Sequence, residues 1–141
     1  MTESLLTYRG AVYPWHCDHM GHMNVMWYVG KFDEATWNLF TTLGITPDYL
    51  RSSSRGMVAV EQHLTYQREV FAGDTVTVHS ALLEVREKVM RFRHEMRNPS
   101  GETAAVTTLT GVHLDTVQRA SCPMPVEILD TARSLLSAQT D

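Results

Sequence analysis

The chain has almost no cysteine: of 141 residues, only Cys17 and Cys122 carry thiols. The two could pair with each other, but in a chain without an export signal both are expected to be free. No apolar run approaches the ~18 residues that a membrane span needs. The opening Met1–Leu6 has neither the basic start nor the apolar stretch of a secretory signal, so a cytoplasmic location and no membrane partner are expected. Basic excess is missing too. Lys and Arg total 12 against 16 Asp and Glu, a net charge of −4, which argues against a nucleic-acid surface. There is no internal repeat, no low-complexity tract and no H-E-x-x-H motif. What remains is ordinary globular material, 43% hydrophobic and 20% charged. Its length suits a single domain over 1–141 with a core of its own.

One stretch departs from that background. His16-Cys17-Asp18-His19-Met20-Gly21-His22-Met23-Asn24 gathers a carboxylate, three imidazoles, a thiol and an amide, followed directly by Val25-Met26-Trp27-Tyr28. A buried segment rarely carries so many groups, since each one left unpaired costs about 1–3 kcal/mol. The stretch is therefore a solvated loop or a site held by a rigid scaffold.

The flanking patterns define that scaffold. Leu6 to Trp15 suits a short first strand, which Pro14 ends or edges. Asn24 is an N-cap candidate, and Val25, Tyr28, Phe32, Ala35, Leu39 and Leu43 recur at helical steps, with Lys31, Asp33, Glu34 and Asn38 mostly on the other side. Gly44 and Pro47 supply the stop. Asp48 to Gly56 reads as an irregular connector. Alternation over 58–67, Asp74–Val85, Met90–Arg97 and Thr103–Leu114 then predicts four strands, with Asn98-Pro99-Ser100-Gly101 as a hairpin turn. The strand run can pair as successive hairpins, and Val126–Ala138 closes the chain as a shorter helix. The expected class is α+β, one long helix against one antiparallel sheet.

Asp18 then falls just ahead of a helix N-terminus, where unpaired N–H groups carry roughly half a positive charge. Such donors can hold the oxygen of a polarised carbonyl, while an ionised Asp attacks an acyl group or draws a proton from water. Asp18 as a plain turn or capping residue is the competing reading. Three histidines beside it suit zinc in type, but Gly21 and Asn24 look like turn and cap chemistry. Cys17 as a nucleophile is a further option, although adjacent residues need not share a face. His63, His79, His94 and His113 fall on strands and read as structural.

Asp18-His19-Met20-Gly21-His22-Met23-Asn24, with Tyr28 and Phe32-Asp33-Glu34-Ala35, resembles the opening signature of hotdog-fold acyl-CoA thioesterases of the 4-hydroxybenzoyl-CoA thioesterase family. Tyr66-Gln67-Arg68-Glu69-Val70-Phe71-Ala72-Gly73-Asp74, and Arg119 with Pro123-Met124-Pro125, are similar to that family's later segments, so the likeness spans roughly residues 8–130. It implies a hotdog fold, a sheet wrapped around the long central helix, assembled as a homodimer or homotetramer with sites at the interface. It implies hydrolysis of an acyl-CoA to free acid and CoA, with no cofactor beyond the coenzyme A of the substrate. Asp18 takes the place of the catalytic carboxylate, backbone N–H groups near Gly21 and the helix start polarise the carbonyl, and His22 and Asn24 shape the site. Trp27 and Tyr28 line the acyl pocket; a part for His16 is less typical of the family.

Lys88, Arg91, Arg93 and Arg119 are the cations that could meet the CoA phosphates. Trp15, Trp27, Tyr28, Trp37 and Tyr49 could stack on an aromatic acyl group, hold a quaternary ammonium by cation–π contact, or equally be packing. A non-catalytic acyl-CoA or acyl-carrier binding module, and an enoyl-CoA hydratase, are the alternatives on the same fold. The hydratases usually carry D-x-N-P-x-H, which is absent here.

Overall fold

Period-two alternation of apolar and polar residues builds most of the sheet. The computed structural model describes residues 4–140; residues 1–3 of the Met1–Leu6 opening, and residue 141, lie outside them. Among the described residues the order is β1 (Leu5–Ala11), a 3-10 turn (Pro14–His16), α1 (Val25–Thr42), α2 (Pro47–Ser53), β2 (Arg55–Tyr66), β3 (Thr75–Val85), β4 (Val89–Arg97), β5 (Thr103–Asp115), β6 (Ala120–Ser121) and α3 (Val126–Thr140). The strands form one antiparallel sheet ordered β1-β3-β4-β5-β2, with β6 on β5. The α+β expectation holds.

Three details differ from the sequence reading. Of the four strands expected after α1, only the last three, β3, β4 and β5, pair as successive hairpins; β2 lies against β5, and the 67–74 connection carries the chain to the far side of the sheet. The segment from Asp48 is helical rather than irregular. Pro47 sits in the first turn of α2, where its missing N–H costs nothing, and the Thr46 hydroxyl accepts from the Tyr49 amide at 3.1 Å. Pro47 thus stops one helix and starts the next. Finally, β2 alternates as expected of a strand, yet of its residues only Met57 is buried. Val58, Val60 and Tyr66 are exposed, Val60 at 62%, because β2 is an outer strand.

The inner faces of β3, β4 and β5 bury Val78, Leu82, Met90, Phe92, Met96 and Leu109 against Phe32, Ala35, Leu39 and Phe40 of α1. α3 packs beside β3. There Gln139 takes the place of a strand, accepting from Leu82 N at 3.0 Å and donating to its carbonyl at 2.8 Å. Two helical positions break the simple stripe: Val25 is exposed, whereas Lys31 is only 3% exposed. The Lys31 ammonium donates to Tyr8 Oη at 2.7 Å and Ala11 O at 3.3 Å, tying α1 to β1. Gly10 leaves the room for this, since a Cβ there would lie 2.2 Å from Tyr8 Oη.

A polar chain crosses the core. Thr7 and Ser80 hydroxyls meet at 2.6 Å, Ser80 meets His94 Nδ1 at 2.6 Å, and His94 Nε2 meets Thr36 Oγ1 at 2.8 Å. Thr36 donates onward to Phe32 O, so the Nε2 proton of His94 completes the chain. Burial pushes the His94 imidazole down to about 4. The unfolded chain therefore takes up a proton near pH 6.5 that the folded chain refuses until about pH 4. Stability present above pH 6.5 is lost as pH falls through that window, by about 3 kcal/mol for a shift of this size. Urea unfolding at pH 7 and pH 5 should show a lower midpoint at pH 5, with a shallower pH dependence in His94→Gln.

Candidate active site

The polar stretch folds as a tight loop on the end of the sheet where α1 begins. The Cys17–Met23 bridge closes it, Asp18 N donates to His22 O at 3.0 Å, and Gly21 N donates to Asp18 O at 3.0 Å. Gly21 stands at φ +87°, a left-handed conformation that side chains resist. Its amide is committed to the turn, so Gly21 shapes the loop and does not present its own N–H to a substrate. Met23 N bonds Val70 O at 2.8 Å, pinning the loop to the connection that follows β2.

Asp18 is held from two sides. Oδ1 accepts from Met20 N and Oδ2 from Asn24 Nδ2, each at 2.9 Å. The Asn24 amide beside it, then the Met20 N–H, keep the carboxyl below its usual range, and it is ionised at neutral pH. Its side chain keeps 20% exposure. Asn24 caps α1 with its other end, accepting from Met26 N at 2.9 Å. The turn-and-cap reading and the site reading of Asp18 thus describe one arrangement.

His22 stands next in line, with Nε2 3.9 Å from Asp18 Oδ1 and Nδ1 2.6 Å from Glu69 Oε1. It opens onto a cleft lined by Met23, Val25, Tyr28, Tyr66, Gln67, Arg68 and Glu69. Tyr28 and Tyr66 meet edge to face at 5.1 Å between centroids. Burial pushes the Tyr28 phenol up to about 12, so it stays a neutral donor, 3.4 Å from Arg68 O.

The other expected residues separate into groups. His16 is buried under the loop; Tyr13 N donates to its Nδ1, Asn24 N to its carbonyl, and its ring lies 4.5 Å from that of Trp27. Desolvation, then Lys31, keep this imidazole below its usual range. Its part is to support the loop and the Tyr13–Trp15 ring stack, whose centroids are 4.5 Å apart. Cys17 is a free thiol whose Sγ donates weakly to Tyr13 O at 3.9 Å. Among the described residues no three His, Cys, Asp or Glu converge as a metal cluster would.

Lys88, Arg91, Arg93 and Arg119 are not brought to Asp18. Lys88 lies in the β3–β4 hairpin and Arg119 in the β5–β6 turn, both at the opposite end of the sheet, and Arg91 faces Glu84 at 3.9 Å. Sequence reasoning assigned no role to Tyr66 or Glu69. The only signal for them was their place in the stretch quoted for the family's strand and turn.

Asn24→Ala should cost about 1 kcal/mol of cap stability and raise the Asp18 pKa, because the largest donor to the carboxylate is lost. Asn24→Asp keeps a capping oxygen but faces Asp18 with a like charge, so it should raise that pKa with a smaller loss of stability. Thermal unfolding and a carboxyl NMR titration separate the two effects.

Known proteins share both the sequence pattern and the shape. The model of the thioesterase-like superfamily matches residues 12–131. The L-carnitine dehydrogenase/betainyl-CoA thioesterase of Agrobacterium fabrum is 32% identical over 88% of this chain, which spans only 25% of that protein's length. The betainyl-CoA thioesterase of Pseudomonas aeruginosa is 28% identical over 98% of this chain and 87% of its own. A Staphylococcus aureus protein solved in complex with CoA has a TM-score of 0.91 at 17% identity, covering 98% of this chain and 88% of that one. That likeness is one of fold, and with the sheet and helix described above it makes this a hotdog fold. On the extent of the sequence match, the chain belongs to the thioesterase-like superfamily.

Proposed function

We propose that this chain hydrolyses an acyl-CoA thioester to the free acid and CoA at Asp18, with a trimethylammonium acyl group of the betainyl type as substrate. The single observation that carries the hydrolysis is an ionised carboxylate locked by Met20 N and Asn24 Nδ2 beside the start of α1. The carboxylate attacks the carbonyl carbon, giving an anhydride that water then cleaves to the free acid and restored Asp18, or it takes a proton from a water that attacks the carbonyl directly. On either route a C–O bond forms, the C–S bond breaks, and the CoA thiolate leaves and takes up a proton from that water. Of the first-turn amides of α1, Met26 N and Trp27 N are taken by Asn24, and we assign the oxygen that gains charge to Val25 N. Thioesters are activated acyl groups, so no cofactor is called for, and CoA enters as part of the substrate. The acyl choice is supported by the two betainyl-CoA relatives.

The working unit in this reading is a homodimer or a homotetramer built from it, in the cytoplasm. β2 offers a 12-residue outer strand with exposed Val58 and Val60, the type of edge that recruits another strand. A two-fold pairing of β2 with its copy runs antiparallel. It sets the Arg55 end of one sheet beside the Tyr66 end of the other. The partner's Lys88, Arg91, Arg93 and Arg119 then belong to the same end as this chain's Asp18, and we assign the CoA phosphates to them.

Purified protein should release free thiol from betainyl-CoA, read with a chromogenic thiol reagent. Asp18→Asn should lower kcat at least about 100-fold, the usual scale for removing a catalytic base. Retention of wild-type turnover in that variant would remove Asp18 from the chemistry. In sedimentation, wild type should run as a dimer or tetramer, and Val58→Lys with Val60→Lys should shift it toward monomer.

A further inference from the structure

A trimethylammonium acyl group needs a place for its charge, and the reach of the molecule limits where that place is. Its nitrogen lies two bonds from the carbonyl carbon, about 2.5 Å. That carbon must come within about 3–3.5 Å of the attacking atom. The cation therefore sits within about 6 Å of the Asp18 carboxylate or of the water beside it. An unhydrated quaternary ammonium is held by aromatic faces and by carboxylates that do not demand a hydrogen bond.

Among the described residues, aromatic rings meet open surface at three places beside the loop, α1 and β2. The Tyr13–Trp15 stack is exposed, but it meets the loop through His16 and Cys17, and among the described residues no hydrogen bond or ion pair links it to Asp18. The cleft between α1 and β2 holds Asp33, Trp37 and Phe40. Asp33 lies nine residues beyond Asn24, about 13 Å up the helix and out of reach of Asp18 in the same chain. The third is the cleft beside His22. There Tyr28 forms the buried floor, Tyr66 is 49% exposed, and the Glu69 carboxylate stands on the rim beyond His22. Arg68 also lines this cleft, and its guanidinium is turned to Glu102 at 3.2 Å.

Building on the thioester reading above, we propose that Tyr66, Tyr28 and Glu69 form the subsite that holds the positive end of the acyl group while Asp18 acts on its carbonyl. Tyr66 supplies the accessible ring and Glu69 the balancing charge. His22 spans the two carboxylates, so the short acyl group lies along one imidazole with its carbonyl toward Asp18 and its cation toward Glu69. The ring pair is fixed before binding by its edge-to-face contact, and Tyr28 by its bond to the Arg68 carbonyl.

The test compares betainyl-CoA with its neutral isostere, 3,3-dimethylbutanoyl-CoA, in which carbon replaces the quaternary nitrogen. Wild type should favour betainyl-CoA in kcat/KM. Tyr66→Leu should lower the betainyl-to-isostere ratio roughly tenfold, and Tyr66→Phe should keep it. Glu69→Gln, a change on an exposed rim that spares the fold, should lower the ratio in the same direction. An unchanged ratio in both Tyr66→Leu and Glu69→Gln overturns the subsite. So does a ratio moved instead by Trp15→Leu, or by Asp33→Asn, which would place the cation across an interface between copies. Wild type that hydrolyses both thioesters without preference overturns the subsite alone; wild type that hydrolyses no acyl-CoA overturns the thioesterase reading and the subsite with it.

Discussion

The Asn24 side chain is the joint on which the rest of this site turns. One end of its amide accepts from Met26 N and so starts α1; the other donates to Asp18 Oδ2. Helix N-terminus and carboxylate are thereby fixed to one another through a single planar group. Neither can move without releasing the other. Because the donor faces the charged form of Asp18, the same contact that positions the carboxylate also keeps it ionised.

The scaffold beneath keeps that joint at a fixed height. His16 is wedged under the loop and receives Tyr13 N, while Met23 N reaches across to Val70 O. Further along α1, Lys31 and Thr36 anchor the helix to β1 and, through His94, to β4. These are polar contacts inside an apolar core, and fully satisfied ones specify a register that oily packing alone leaves loose. Lys31 achieves this with neutral oxygens of Tyr8 and Ala11, its ammonium also 5.0 Å from the centre of the Tyr8 ring. The helix cannot slide by a turn without breaking the set.

Local physics made the centre of the site legible in the sequence, and distance hid its rim. Asp18, Gly21 and Asn24 lie within seven residues, so carboxylate, turn and cap could be recognised by spacing, whereas a part for His22 came only with the family resemblance. Tyr28 followed from the helical period. Glu69 meets His22 across 47 residues, and only the fold creates that contact. Lys31 looked like solvated charge, because its ring and carbonyl partners sit on β1. The strands were legible from alternation. The environment of β2 was not, since alternation reports two faces and cannot say whether a neighbour covers either. Pro47 was read as the end of one helix, although the same residue also opens the next.

The position of Tyr66 joins the two undecided matters of assembly and specificity. It is the last residue of β2, the outer strand, and it is also the exposed wall of the cleft beside Asp18. A free strand end frays, because its outward N–H and C=O groups trade partners with water. A second copy added along β2 would hold those groups in a ladder and fix the wall at the spacing set by the Tyr28 contact. Aromatic recognition of a cation depends steeply on ring placement, whereas the attack proposed for Asp18 depends on contacts made within the loop. Association would therefore bear more on which acyl group is accepted than on whether a thioester is cleaved at all. The same strand that lacks a neighbour in the single chain is the one whose order the cation would read.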